Sequence, residues 1–193
     1  MSVRVRIGPS PTGDPHVGTA YISLFNYIFA KQHDGKFVLR IEDTDQTRSK
    51  PEWEQMIIDS LKWLGLDWDG PPTKQSERAE IFSQAASTLS QAGLSYPCVC
   101  TRAEVRSAIA APHSEDGGDI YPGTCRGLFG SIEEAKAKAG RDPALRFAVD
   151  DGEIEISDVL AGDRTLCPLT DFGDFPITSR DGYAAYHLAV VVD

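Results

Sequence analysis

The sequence predicts an α/β protein in which the first part of a nucleotide-binding fold carries a small, metal-bearing α+β insert. Three observations support this prediction. Residues 3–42 follow the order strand, loop, helix, strand, which implies a parallel strand pair joined by a helical crossover. Residues 96–130 hold three of the four cysteines among prolines and glycines. Residues 173–193 are strand-like again, which indicates a return to the parent sheet.

The first strand is predicted from Val3, Val5 and Ile7, because their alternation with two arginines has the period of two that strands show. The prolines and glycines of residues 8–15 predict a loop. A helix is expected over about residues 17–31, followed by a second strand over 36–42. The apolar stripe expected on that helix consists of Ala20, Leu24, Phe25 and Ile28.

Four more helices are expected. Two are predicted over residues 51–64 and about 76–92, and each is followed by a glycine that suits a C-terminal cap. The patterns Thr101-x-x-Glu104 and Ser131-x-x-Glu134 are typical of capping boxes and predict two short helices after them.

The second half of the chain also contains strand patterns. Short strands are predicted over residues 144–149 and 154–156, and a hairpin is predicted over 175–192. The expected division is a nucleotide-binding half over residues 1–95, an insert over 96–172, and a return strand of the parent sheet over 173–193.

The charge balance and the lengths of the apolar runs argue against some functional classes. The 193 residues include 19 basic and 29 acidic side chains, for a net charge of −10. This balance argues against a sequence-independent nucleic-acid coat protein, but it permits an enzyme with a local basic patch. No stretch approaches the roughly 20 apolar residues of a membrane span, and no signal peptide is visible. We therefore expect a cytoplasmic location and no membrane partner. We also expect a monomer.

Three cysteines have the spacing of metal ligands. Cys98 and Cys100 are separated by one residue, and Cys125 follows 25 residues after Cys100. Three thiolates with one further donor suit a closed tetrahedral zinc site, and the alternative is a set of three reduced core thiols. Tyr121 and His113 are both candidates for the fourth donor. Cys167 is expected to be a small buried hydrophobe.

The loop before the first helix is a candidate phosphate site. Backbone N–H groups at a helix N-terminus favour an anion, and Gly13 and Gly18 would allow a ligand to approach the backbone. His16 could donate a hydrogen bond to a phosphate oxygen. The alternative is a stiff, proline-rich turn that carries a surface histidine.

Two motifs together resemble one enzyme family. The segment from Pro9 to Gly18 contains the pattern Pro-Ser-Pro-Thr-Gly-x-x-His-Val-Gly, and Arg40 to Asp45 reads Arg-Ile-Glu-Asp-Thr-Asp. Their order and separation resemble the glutamyl-tRNA synthetase family, and the resemblance covers essentially the whole chain. It implies a class I synthetase with a Rossmann-type fold, in which Pro15 to Thr19 form the "HIGH" element.

The resemblance also implies residue roles. The residues that bind the substrate glutamate would be Arg6, Ser10, Glu42 and Tyr186. This agrees with the chemistry of the side chains, because an arginine holds a carboxylate in a bidentate fork and a carboxylate complements an ammonium group. The ATP-binding residues would be Pro9, Thr12, Gly13, His16 and Gly18, and His16, Gly18 and Thr19 would act in catalysis. The ligands of a structural zinc ion would be Cys98, Cys100, Tyr121 and Cys125.

The implied reaction is ATP-dependent activation of L-glutamate to glutamyl-adenylate, with Mg²⁺ screening the triphosphate, followed by transfer to a tRNA. Two branches of the family compete. The segments 94–102, 121–127 and 185–193 look more like the glutamyl-Q tRNA(Asp) synthetases, which modify the queuosine of tRNA(Asp), and we favour this branch. Residues 13–21 and 45–49 look more like the full-length synthetases that charge tRNA(Glu). The resemblance implies that the first branch activates glutamate without tRNA and that the second needs tRNA.

The resemblance implies that both branches carry a lysine-rich, KMSKS-like loop in a second half of the fold, and this chain has no lysine after Lys138. The chain therefore looks like the N-terminal part of a catalytic region. A non-catalytic module that binds zinc and RNA, or a nucleotide, is the alternative from another class.

Overall fold

The chain divides into two units, Met1–Ala79 and Glu80–Asp193. The computed structural model describes residues 2–109 and 120–193. His113 lies outside the described residues, as does the acidic segment 114–119. Within the described part of the chain, no helix is long and apolar enough to cross a membrane.

The first unit contains the predicted parallel sheet. Strand β1 (Arg4–Ile7) is followed by helix α1 (Val17–Gln32) and strand β2 (Lys36–Ile41). β1 and β2 pair in parallel, so the predicted β-α-β unit is confirmed. Helix α2 (Pro51–Trp63) leads to the two-residue strand β3 (Thr73–Lys74), which pairs in parallel with β2. The buried core of this unit consists of Ile7, Ala30, Phe37, Leu39, Ile41, Ile57, Leu61 and Leu66.

The prediction of which face of α1 is buried is wrong. Leu24, Phe25 and Ile28 are exposed, whereas Ser23 and Ala30 are buried. The helix is apolar around most of its circumference, so periodicity alone did not identify the buried face. The face toward the core carries Ser23, Tyr27 and Ala30, and the partly buried Tyr27 ring lies 5.7 Å from that of Phe37.

The predicted helix over 76–92 begins later than expected. Residues Gln75–Arg78 form a 3₁₀ turn, and helix α3 covers Ala79–Gln91. Phe82 and Ala86 of α3 belong to a core cluster with Ile177 and Leu188. Because of this packing, α3 belongs to the second unit.

The second unit is built around an antiparallel sheet. Strand β4 (Ser95–Cys98) is followed by helices α4 (Arg102–Ile109) and α5 (Ile132–Ala139), and then by strand β5 (Ala144–Phe147). Strands β6 (Ile154–Asp158) and β7 (Gly162–Leu166) form a separate hairpin. The chain continues through the short helix α6 (Pro168–Asp171), strand β8 (Phe175–Pro176) and helix α7 (Tyr186–Val192). The sheet order is β4-β5-β8.

The predicted hairpin over 175–192 and the predicted return strand are wrong. β8 pairs with β5 of the antiparallel sheet, and residues Tyr186–Val192 form a helix. The run of valines favours a strand by local propensity. Leu188, Ala189 and Val192, however, pack into one core cluster, and their spacing is that of a helix face. Tertiary packing therefore outweighs the local preference.

The capping box predicted at Thr101 is complete, and the one predicted at Ser131 is formed in part. The Glu104 N–H donates to Thr101 Oγ1, and the Glu104 carboxylate accepts from the Thr101 N–H. At the start of α5, Ser131 accepts from the Glu134 N–H, whereas the Glu134 carboxylate accepts from the Gly130 N–H. These contacts satisfy backbone donors that a helix leaves without intrahelical partners.

Replacing Glu104 by Gln is expected to lower stability at neutral pH and to have little effect in acid. The Thr101 N–H and the Arg141 guanidinium lower the pKa of Glu104 from 4.5 to about 2. A lowered pKa in the folded state contributes stability above the unfolded value, and this contribution is lost as the pH falls from about 4.5 to about 2. Thermal melts of both proteins from about pH 2 to about pH 7 test this. A Tm difference that is independent of pH would contradict it.

Candidate active site and metal centre

Two hydrogen bonds to backbone carbonyl groups hold the loop that follows β1. The Glu42 N–H donates to the Pro9 carbonyl at 2.9 Å, and the Lys50 N–H donates to the Pro11 carbonyl at 3.0 Å. Pro11 is buried, whereas Thr12 is exposed. A Cβ added to Gly13 would meet no atom within 4 Å. The loop therefore has a fixed backbone and an open outer surface, on which Ser10 is also exposed.

His16 is the N-cap of α1. Its Nδ1 accepts from the Gly18 N–H at 3.1 Å. A neutral imidazole that accepts at Nδ1 carries its proton on Nε2, so this N–H is available as a donor. A Cβ on Gly18 would lie 2.8 Å from His16 Cε1, which explains why a glycine occupies this position. The Thr19 N–H donates to the His16 carbonyl.

A charged cluster lies at the carboxyl ends of β1 and β2. The Arg40 Nη2 atom donates to Glu42 Oε1 at 2.7 Å, and both side chains are buried. Arg6 Nη2 lies 3.8 Å from the same oxygen, and the Arg6 side chain is 41% exposed. Arg6 can therefore reach a ligand carboxylate, while Glu42 can accept from a ligand ammonium group. Sequence reasoning gave Arg40 no role of its own, because no pattern distinguishes a buried strand arginine.

The other acidic residues after β2 have local structural contacts. The Asp43 carboxylate accepts from the N–H and the hydroxyl of Ser76. Asp45 accepts from the Thr47 hydroxyl and from Arg48, and these contacts lower its pKa to about 2. Of these acidic residues, Glu42 is the one that faces Arg6.

Replacing Gly8 by Ala is expected to disturb this cluster. The added Cβ would overlap Glu42 Oε1 and lie 2.8 Å from Arg6 Nη1. Since Glu42 is held by buried Arg40, it cannot move away freely, and overpacking of this kind typically costs about 1–3 kcal/mol. Urea unfolding measures the loss. Gly13→Ala is the matched control, because its Cβ meets open space. Equal stability of the two variants would contradict the prediction.

The three predicted thiols are brought together in the second unit. The Sγ atoms of Cys98, Cys100 and Cys125 all lie within 4.8 Å of one another. The Tyr121 hydroxyl lies 3.5 Å from the Sγ atoms of both Cys98 and Cys100. In a tetrahedral site with Zn–S bonds of about 2.3 Å, sulfur atoms lie roughly 3.8 Å apart. The four side chains therefore fit a zinc ion, and this is the only cluster of its kind among residues 2–109 and 120–193.

Burial changes the acidity of these groups. Burial raises the pKa of Cys100 to about 11. Burial also raises the pKa of Tyr121, and the neighbouring thiols add to this effect. For Cys125, burial acts to raise the pKa, but hydrogen bonds with the Val99 backbone, Tyr121 and Cys100 outweigh it and the pKa is lowered. A metal ion at this position would compete with protons for all three thiols.

A second set of residues surrounds the thiol cluster. Arg146 Nε donates to Cys98 Sγ at 3.2 Å, and its guanidinium carbon lies 3.7 Å from the centre of the Tyr121 ring. Asp174 accepts from the Tyr96 hydroxyl at 2.6 Å and from Arg126 Nη1 at 3.1 Å. Sequence reasoning missed Arg146 and Asp174, because strand pairing brings them to the site from distant positions.

Tyr186 lies at the start of α7 in the second unit. Its ring is exposed, and its centre is 5.8 Å from that of His187. Its role in binding glutamate stays a prediction.

Comparison with known proteins decides the family. Residues 2–193 match the family model described as "tRNA synthetases class I (E and Q), catalytic domain". The chain belongs to this family. It is 45% identical to a glutamate–tRNA ligase of Symbiobacterium thermophilum, covering 100% of the chain and 42% of that ligase. It is 43% identical to a glutamyl-Q tRNA(Asp) synthetase of Nitratidesulfovibrio vulgaris, covering 99% of the chain and 61% of that protein.

Solved structures of this family agree with the fold. A glutamate tRNA ligase from Elizabethkingia meningosepticum, in complex with its amino acid, superposes with a TM-score of 0.81 at 31% identity. That comparison covers 100% of this chain and 41% of the ligase. The chain thus spans less than two thirds of the length of these synthetases.

Proposed function

We propose that this chain supplies the glutamate- and ATP-binding part of a class I synthetase that activates L-glutamate. The observation that carries the proposal is the cluster of Arg6, Arg40 and Glu42 at the strand ends. In this cluster, Arg6 offers a cation for a carboxylate of glutamate, and Glu42 offers an anion for its ammonium group. Ser10, on the open surface of the neighbouring loop, is proposed as a further contact with glutamate.

The first step would join glutamate to AMP. A glutamate carboxylate oxygen attacks the α-phosphorus of ATP, the bond to the β-phosphate oxygen breaks, and pyrophosphate leaves with the electron pair. This chemistry depends on positioning and on stabilisation of phosphate charge, and less on proton transfer by side chains. His16 would donate its Nε2 proton in a hydrogen bond to a phosphate oxygen.

The loop around His16 would hold ATP. The open surface at Thr12 and Gly13, next to Pro9, leaves room for the nucleotide. Gly18 and Thr19 orient His16 through backbone contacts. Mg²⁺ bound with ATP would screen the triphosphate charge. Zinc would be structural and would be held by the thiol cluster and the Tyr121 hydroxyl.

The proposed acceptor is the queuosine of tRNA(Asp), as in the glutamyl-Q tRNA(Asp) synthetases. The segments 94–102, 121–127 and 185–193 support this choice, because they look more like that branch. Transfer to tRNA(Glu) is the second candidate, and the 45% identity to a glutamate–tRNA ligase favours it. A cytoplasmic location is proposed with either acceptor.

Glutamate-dependent exchange of pyrophosphate into ATP tests this function. Exchange without tRNA is the expected result for the tRNA(Asp) branch. Exchange only with tRNA would favour the tRNA(Glu) branch. The absence of exchange with and without tRNA would contradict activation by this chain alone and would indicate a catalytically incomplete part of such an enzyme.

A further inference from the structure

Arg146 contacts two of the four candidate zinc ligands at the same time. It lies on β5, directly opposite Tyr96 of β4. Its Nε donates to Cys98 Sγ at 3.2 Å, and its guanidinium group covers the Tyr121 ring. Its Nη1 donates to the Asp174 carbonyl at 2.9 Å. The side chain is therefore fixed at three points.

The charge of Arg146 suits a thiolate metal centre. Three thiolates and one Zn²⁺ together carry one negative charge, and a guanidinium beside Cys98 offsets it. The nearby Asp174 carboxylate has its own partners, namely Arg126, Tyr96 and the Val149 N–H. The positive charge of Arg146 is thus directed at the sulfur atom and not at the Asp174 carboxylate.

The stacking contact holds the ring of Tyr121, whose hydroxyl also accepts from the Cys125 N–H at 2.9 Å. A guanidinium over an aromatic face is favourable and restricts the ring. With the ring held, the hydroxyl stays 3.5 Å from the Sγ atoms of Cys98 and Cys100. Contacts that orient ligands in this way typically change metal affinity by about 10- to 100-fold.

We propose that Arg146 is a positioning residue of the metal centre, which orients Tyr121 and offsets the charge of the Cys98 thiolate. The proposal rests on the zinc site proposed above. Lysine would keep the charge but could not stack and donate in the same arrangement. Methionine would remove the charge and the donor while keeping an unbranched side chain.

Zinc affinity of the full chain, measured by competition with a chromophoric chelator, tests the proposal. We expect Arg146→Met to weaken zinc binding by about 10- to 100-fold and Arg146→Lys to weaken it less. Arg164→Met is the matched control, since Arg164 is exposed on β7 and the variant should bind zinc as the parent does. Cobalt substitution gives a second readout, because a displaced Tyr121 changes the absorption bands of the bound metal.

Equal zinc affinity and equal cobalt spectra in the parent and both Arg146 variants would overturn the proposal. If Arg146→Met does not fold, Arg146→Lys decides by the same two readouts. Failure of the parent chain itself to bind zinc would overturn the zinc site and this proposal together. Normal zinc binding by the parent with unchanged Arg146 variants would overturn only the role of Arg146.

Discussion

Replacing Cys125 by Ser is expected to abolish zinc binding and to destabilise the second unit strongly. Cys125 is buried, and its Sγ lies 3.3 Å from that of Cys100, so the serine variant would leave the cluster with two thiols. A ligand that binds only the folded state stabilises it by about 4 kcal/mol at roughly 1,000 times its Kd. Loss of this contribution should lower the Tm by about 10 °C.

Metal analysis and thermal melts of the same samples measure both effects. Cys167→Ser is the control, because Cys167 lies outside the thiol cluster. We expect one zinc per chain in the parent and in the control, and almost none in Cys125→Ser. Zinc retained by Cys125→Ser, or an equal loss in the control, would contradict the assignment.

Replacing Arg40 by Met is expected to destabilise the first unit by about 3–5 kcal/mol, because it leaves the buried Glu42 without its nearest counter-charge. Arg6→Met should cost less than about 1 kcal/mol, since Arg6 is partly exposed and lies farther from Glu42. Arg6→Met should nevertheless impair the binding of glutamate. Arg40 is thus expected to contribute mainly to the stability of the first unit, and Arg6 mainly to the binding of glutamate.

Urea unfolding of three variants tests this difference. The double variant Arg40→Met with Glu42→Gln should be more stable than Arg40→Met alone, because it leaves no unpaired buried charge. A double variant that is less stable than Arg40→Met would show that the buried charge is not the cause of the loss.

The sequence was sufficient for the parts of the fold that depend on short-range patterns. The β-α-β unit, the side-chain caps at Thr101 and Ser131, and the thiol cluster follow from spacing and local residue preferences. The buried face of α1 and the helix at Tyr186–Val192 did not, because packing with distant residues decided them. Local preference is a weak guide where a segment is apolar throughout.

The residues of the candidate site also divide into those that short-range patterns predicted and those that distant contacts determine. His16, Arg6 and Glu42 lie in or beside contiguous motifs, so their resemblance to a family could be stated from sequence. Arg146 and Asp174 act through contacts that strand pairing and burial determine. Arg146 meets Cys98 across 48 positions and Tyr96 meets Asp174 across 78, and no local pattern encodes such pairs.

Binding of a non-hydrolysable glutamyl-adenylate analogue to the chain, measured by thermal shift, tests the central claim most directly. We predict that the analogue raises the Tm of the parent and that Arg6→Met reduces this shift strongly while leaving the Tm without analogue nearly unchanged. No shift in the parent, or an equal shift in Arg6→Met, would contradict a glutamate site at Arg6 and Glu42.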